Sequence, residues 1–239
     1  MQDFTTPPYQ TPQSGSIPVV LSTEASFFQK IYFWMCGALF VSALTGYILS
    51  QSTAWMSFLS RGTIAVIFII GIQLAIVLGI NFLVNKVSAN VIRLMFLAYA
   101  VSMGFTFSIV LLFYPSAAIA KAFFSSAGVY GVMAIFGLVT KRSLQPLGSF
   151  LLMGLIGIII ASIVNLILAS PLMDFVICVI GVLVFAGLTA YDHQKLRVIF
   201  AGGFANPEIE SKSVTIGALE LYLDFVNLFL FLLRLFARR

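Results

Sequence analysis

Seven long apolar segments run along the chain and are separated mostly by short polar connections. Each segment is close to the roughly 20 residues that an α-helix needs to cross a bilayer. The segments lack the alternation of polar and apolar residues that is typical of membrane β-barrel strands. The pattern predicts an all-α polytopic membrane protein with seven transmembrane helices, over residues 29–49, 62–84, 91–113, 118–140, 147–169, 172–192 and 215–236.

The connections are too short to hold an extramembrane domain. The longest expected loop covers residues 192–215, where Gly202, Gly203 and Pro207 favour a break in helical structure. The sequence therefore predicts two parts, a flexible polar tail over residues 1–26 and one transmembrane domain over residues 27–239. The tail has no basic start followed by an apolar core, so it does not resemble a cleaved signal peptide.

Composition supports the membrane class, since 61% of the residues are hydrophobic and only 9% are charged. A soluble domain carries about 25% charged residues. The net charge is +5, but the basic residues stand singly at the ends of apolar segments, which argues against a nucleic-acid partner. Cys36 and Cys178 lie in apolar segments without a CxxC spacing, and the chain has one His. We therefore expect buried free thiols and no zinc site.

The distribution of Lys and Arg predicts a cytoplasmic N-terminus. With seven crossings, eight basic residues fall on the N-terminal side and five on the other. The C-terminal arginines keep the side of the C-terminus open, because a last segment that dipped in and returned would bring them to the inner side. The eight are Lys30, Lys86, Arg93, Lys141, Arg142, Lys195, Arg197 and Lys212.

The acidic residues are concentrated near the end of the chain, with none between Glu24 and Asp174. An Asp at the centre of a membrane helix costs about 2.5–3.5 kcal/mol. In the last segment, Glu220, Asp224 and Asn227 recur at steps of three or four, so they share one helical face. Phe231 and Arg234 continue this face. We expect it to lie against protein or water inside a bundle, rather than against lipid.

Asp192 and Asp224 are the acidic residues that could meet, because the last two segments are antiparallel and joined by one loop. Two carboxyls that share a poorly solvated site do not both ionise cheaply, so the pair could hold one proton at low pH and repel at high pH. When ionised, both are oxygen ligands suited to Ca²⁺. Alternatively, Asp192 ends a helix beside Lys195, and Asp224 is a structural charge paired with a Lys or Arg.

The neighbouring polar residues allow two interpretations each. Glu220 could line an ion path or be an interfacial acid. Asn227 could bridge helices or line the same path. We expect His193 at the level of the lipid head groups and Arg234 to extend outward toward them.

Two stretches carry a family resemblance. "GLTAYDHQKLR" and "ALELYLDFVNLFLFLLRLF" resemble the signature of the transmembrane Bax inhibitor motif family, also called the Bax inhibitor 1 family. "NKVSANVIRLMFLAYAVSMGFTFS" is similar to that family's second-to-third span region. The resemblance covers roughly residues 27–236, and the loop lengths are closest to the bacterial members. It implies an integral protein of the bacterial inner membrane.

The resemblance further implies a seven-helix fold whose last helix is central and surrounded by the other six, and a pH-sensitive calcium leak. Asp192 and Asp224 would form a hydrogen-bonded pair near the cytoplasmic mouth, and Lys86 would be the counter-charge of Asp192 in the closed state. The chain departs from the family pattern in two ways. Some members carry Arg where Lys86 stands, and some carry an acid in the second span, where this chain has Gln73 and Asn81.

The leading functional hypothesis is therefore a proton-gated calcium conduit that is not an enzyme and needs no cofactor, with the bilayer, calcium and protons as partners. The alternative is a regulatory protein that modulates a membrane-bound protease or a stress or cell-death pathway through its tail or helix surfaces. An intramembrane aspartyl hydrolase is disfavoured, since neither Asp stands in a Gly-Asp motif.

Overall fold

A computed structural model describes residues 23–237, and this part of the chain is entirely helical apart from its connections. Seven of its eight helices are long and apolar enough to cross a membrane, which confirms the all-α, seven-span prediction. The helices are α1 (Glu24–Ser50), α2 (Thr53–Leu59), α3 (Thr63–Leu83), α4 (Ala89–Phe113), α5 (Ser116–Val139), α6 (Gln145–Leu168), α7 (Pro171–Ala201) and α8 (Pro207–Phe236).

The first helix begins at Glu24, because the hydroxyl of Thr23 accepts a hydrogen bond from the backbone N–H of Ser26. This start is three residues earlier than the domain boundary expected at residue 27. Residues 1–22 of the predicted tail lie outside the described residues. The flexibility of that tail and its role in regulating a protease or a stress pathway therefore stay predictions.

The hairpin of α7 and α8 is longer than hydropathy alone indicates. Helix α7 continues nine residues beyond the expected end at residue 192, and α8 begins eight residues before the expected start at residue 215. Asn206 caps α8 by accepting from the N–H of Ile209 at 2.9 Å, and Pro207 occupies the first helical turn. Only residues 202–206 interrupt the helices, and Gly203 there has a positive φ of 72°.

Helix α8 is the centre of the bundle. It packs against α1, α4, α5 and α7, and 67% of its spanning window is buried. Helices α3 and α6 lie outside this group, with α3 packed on α4 and α6 packed on α7, and only 11% of each spanning window is buried. The predicted central position is thus confirmed. Four of the six other spans contact α8 directly, and the remaining two form an outer layer.

The short helix α2 was not predicted, because its seven residues read as part of a polar connection. It closes one end of the bundle through Trp55, whose indole Nε1 donates to the Ser108 hydroxyl of α4 at 2.7 Å. Small residues allow close packing elsewhere. A Cβ added to Gly137 of α5 would overlap the carbonyl oxygen of Ala190 in α7. These two helices form the wall beside the acidic residues.

Candidate functional site

Asp192 and Asp224 lie on facing sides of the α7–α8 hairpin, as predicted. Their side chains interact with one another, and Asp224 is buried with 4% of its surface exposed while Asp192 is half-buried. The two carboxyls are close enough to share a hydrogen bond when one of them is protonated, and Asp224 Oδ2 is buried without any other hydrogen-bond partner among the described residues. Helix α7 continues past Asp192 and α8 begins well before Asp224, so both residues lie inside the helical hairpin.

A third carboxylate and one ammonium complete the polar centre. Lys195 Nζ lies 2.6 Å from Glu220 Oε1 and 3.9 Å from Asp192 Oδ1. Lys195 follows Asp192 by one turn of α7, and Glu220 precedes Asp224 by one turn of α8. One positive charge therefore faces three acidic side chains, and its closest contact is with Glu220 rather than with the buried pair.

Aromatic side chains of other helices and the imidazole of His193 from α7 lie beside this centre. Tyr130 of α5 is an electrostatic neighbour of Asp192 and Asp224, and its hydroxyl donates to Met35 Sδ at 3.4 Å. The ring of His193 lies 5.6 Å from that of Tyr130, measured between centroids. Side chains of α1 and α5 therefore lie beside the acidic pair.

The expectation that His193 lies at head-group level is wrong. The side chain is fully buried, with Nδ1 at 2.6 Å from the carbonyl oxygen of Thr189 and Nε2 at 2.9 Å from the Tyr32 hydroxyl. A carbonyl oxygen only accepts, so Nδ1 donates to Thr189, and the neutral ring then accepts from Tyr32. His193 links α7 to α1 beside the acidic pair.

The polar face of α8 lies inside the bundle, which confirms the periodicity argument. Its residues meet α7 from end to end: Glu220 pairs with Lys195, and a Cβ on Gly181 would contact the ring of Phe231. Arg234 pairs with Asp174 at the opposite end of α7 and has 38% of its side chain exposed, so its extension toward the head groups stays a prediction. Asn227 is half-buried and donates to the carbonyl oxygen of Leu223 at 2.8 Å within its own helix.

Lys86 does not stand beside Asp192. It is exposed in the connection between α3 and α4, and α3 makes no contact with α7 in the described part of the chain. The cation next to Asp192 is Lys195. The basic gate residue inferred from the resemblance is therefore replaced, in this arrangement, by a residue of the same helix as Asp192.

Metal binding stays a prediction. Within residues 23–237, no group of three or more His, Cys, Asp or Glu side chains is arranged to hold a metal ion. The assignment of Asp192 and Asp224 as calcium ligands thus rests on their chemistry alone. Both cysteines are free thiols, with Cys178 buried as expected and Cys36 exposed on the outer surface of α1, which corrects the expectation for that residue.

Comparison with known proteins gives a consistent result. The sequence pattern of the family described as "Inhibitor of apoptosis-promoting Bax1" matches residues 24–239. The chain is 37% identical over 235 residues to the inner membrane protein YbhL of Escherichia coli K12, which covers 95% of this chain and 98% of the relative. It is 37% identical to a Deinococcus radiodurans protein over 90% of this chain and 91% of the relative. It is 36% identical to YrjE of Lactococcus lactis over 88% and 90%, respectively.

These matches span the whole helical bundle, including the α7–α8 hairpin that holds the acidic centre. Together with the seven apolar spans they confirm the predicted localisation as an integral inner-membrane protein. The chain belongs to the Bax inhibitor 1 family of membrane proteins.

Proposed function

We propose that this protein is a passive, proton-gated leak for calcium, closed by one proton that Asp192 and Asp224 share. The observation that carries the proposal is the Asp224 carboxyl, which is buried against the Asp192 carboxyl and has one oxygen with no other hydrogen-bond partner in the described part of the chain. Such an oxygen is costly to bury as a bare charge. A proton held between the two carboxyls removes that cost.

Loss of the proton changes the balance of charge at the hairpin. Asp192, Glu220 and Asp224 would then all be ionised around Lys195, whose 2.6 Å contact is with Glu220. Repulsion between Asp192 and Asp224 would favour separation of α7 and α8 at this level. The other titratable groups that face the pair are Tyr130 of α5, Tyr32 of α1 and His193, and His193 is held in a neutral hydrogen-bonded arrangement.

The polar face of α8 supports the choice of a cation as cargo. Carboxylate and amide oxygens from Asp192, Glu220, Asp224 and Asn227 follow one another along the hairpin. Oxygen ligands suit Ca²⁺, and conduction needs binding that is weak enough for the ion to leave. Asp192, whose side chain is 13% exposed, would be the inner end of this route, and the Asp174–Arg234 ion pair would lie at its outer end.

The proposal is tested by calcium flux into liposomes that contain the purified full-length chain, measured at several pH values between about 5 and 8. The parent should pass calcium faster as pH rises and the shared proton is lost. Asp224→Asn and Asp192→Asn keep a polar side chain without the repulsion, so their flux should be low and nearly independent of pH. Asp174→Asn is the matched control and should keep the parent pH dependence. No flux above that of empty liposomes at any pH would refute the leak.

A further inference from the structure

A polar pocket lies between the N-terminal parts of α1, α4 and α8, and none of its lining residues belongs to the Asp192–Asp224 centre. Its volume is about 420 Å³. The side chains that matter here are two cations, one carboxylate, one hydroxyl and one indole: Lys30, Arg93, Glu210, Ser211 and Trp34.

Arg93 is held in place with part of its hydrogen-bonding capacity unused. Its guanidinium donates to Asn90 Oδ1 at 3.0 Å and to the Ser211 hydroxyl, and it lies over the Trp34 ring at 5.5 Å. Its Nε is buried and has no hydrogen-bond partner within residues 23–237. A guanidinium that is stacked and hydrogen-bonded in this way holds a positive charge in a fixed place at the pocket.

Lys30 supplies the second cation and can move. Its Nζ lies 2.9 Å from Glu210 Oε1, and 49% of the lysine side chain is exposed while only 6% of the glutamate is. With Lys30 and Arg93 opposed by Glu210 alone, the lining carries one excess positive charge. One excess positive charge matches the single negative charge of a phosphodiester.

The position of the pocket suits a lipid head group. Lys30 and Arg93 stand near the starts of α1 and α4, at the end of the bundle that the charge distribution places in the cytoplasm. Trp34 is of the kind enriched where membrane meets water. Farther along α1, the large side chains Phe33 and Phe40 are exposed, which provides an apolar track for acyl chains next to the pocket.

We propose that this pocket binds the phosphate of an anionic glycerophospholipid from the cytoplasmic leaflet. Arg93 anchors the phosphate, Lys30 turns from Glu210 toward it, and Trp34 packs against the glycerol region. Basic pockets between transmembrane helices on the cytoplasmic side recognise anionic head groups by this combination of charge and depth.

The test is native mass spectrometry of the full-length chain in detergent, titrated with phosphatidylglycerol. The parent should retain one tightly bound lipid, and Arg93→Gln and Lys30→Gln should each weaken it about fivefold. Arg61→Gln is the matched control, because Arg61 also lies over an aromatic ring, Phe58 at 6.0 Å, but is exposed and does not line this pocket. It should bind as the parent does.

Two further arms identify the ligand chemistry. Diacylglycerol with the same acyl chains lacks the phosphate and should not occupy the site, and a large excess of inorganic phosphate should displace little phosphatidylglycerol. Equal binding of diacylglycerol, or an equal loss in Arg61→Gln and Arg93→Gln, would overturn the proposal, as would efficient displacement by inorganic phosphate. If Arg93→Gln is not recovered folded, Lys30→Gln decides, since its partly exposed side chain is replaceable.

Discussion

The Lys195 ammonium of α7 lies 2.6 Å from the Glu220 carboxylate of α8 and forms the ion pair nearest to the buried acidic pair. Lys195 also lies 3.9 Å from Asp192 Oδ1, so it bridges the two helices at the level of the acids. This contact neutralises the charge of Glu220 most directly. The protonation of Asp224 therefore depends mainly on Asp192. This division of charge is the reason that the shared proton is assigned to the Asp192–Asp224 pair.

Replacement of the bridging cation should leave the acids uncompensated. Lys195→Gln is expected to lower the free energy of unfolding in detergent by about 1 kcal/mol or less, because a partly exposed ion pair contributes little. Adding Glu220→Gln should recover part of that loss. Lys121→Gln, at an exposed position of α5 without an ion pair in the described chain, serves as control. Additive losses in the double variant would show that the Lys195–Glu220 pair contributes no coupling energy.

We expect the buried imidazole of His193 to stabilise the fold. His193→Leu removes two hydrogen bonds and leaves the Tyr32 hydroxyl without its partner, so the free energy of unfolding should fall by about 1–3 kcal/mol. Tyr32→Phe removes one of these bonds and should lose about 0.6 kcal/mol. Thermal unfolding in detergent measures both. A His193→Leu protein as stable as the parent would contradict the hydrogen-bonding role.

Close packing of α5 on α7 should not tolerate a methyl group at Gly137. Gly137→Ala would drive a Cβ into the backbone carbonyl of Ala190, with an expected loss of about 1–3 kcal/mol. Gly131→Ala in the same helix meets open space and should be neutral or gain up to about 1 kcal/mol from helix propensity. Equal unfolding temperatures for the two variants would be inconsistent with the described α5–α7 contact.

The ion pair at the outer end of the hairpin should affect stability without affecting pH sensing. Asp174→Asn removes the partner of Arg234, and the exchange Asp174→Arg with Arg234→Asp should restore an ion pair of opposite orientation. Each single variant should unfold at a lower temperature than the exchanged protein. Calcium flux by Asp174→Asn should keep its pH dependence, and loss of that dependence would place part of the sensor at the outer end.

The helical spacing of polar residues predicted the position of α8 well. A face that contains Glu220, Asp224 and Asn227 at helical spacing predicts a helix inside a bundle, and α8 is the most buried of the spans. Apolarity also located the other spans. It ended α7 and began α8 at the wrong residues, because residues 193–214 mix polar residues with apolar ones such as Leu196 and Phe204, which are buried within the protein. The Asn206–Pro207 start signal was present in the sequence.

Two features depended on which helices pack together, and sequence alone does not specify this. Lys86 was assigned as the counter-charge by resemblance, yet α3 lies outside α4 and does not reach α7. The cation beside Asp192 is instead Lys195, which follows it by one turn of α7. His193 reads as an interfacial residue among polar neighbours, but rings from α1 and α5 close over it in the folded bundle.

The most direct test of the central claim is infrared spectroscopy of the membrane-reconstituted chain, which detects the carbonyl stretch of a protonated carboxyl. The parent should show such a band at low pH that disappears as pH rises. Asp224→Asn should lack the band, whereas Asp174→Asn should retain it with an unchanged titration. A band that persists in Asp224→Asn with the parent's pH dependence would contradict a proton shared by Asp192 and Asp224.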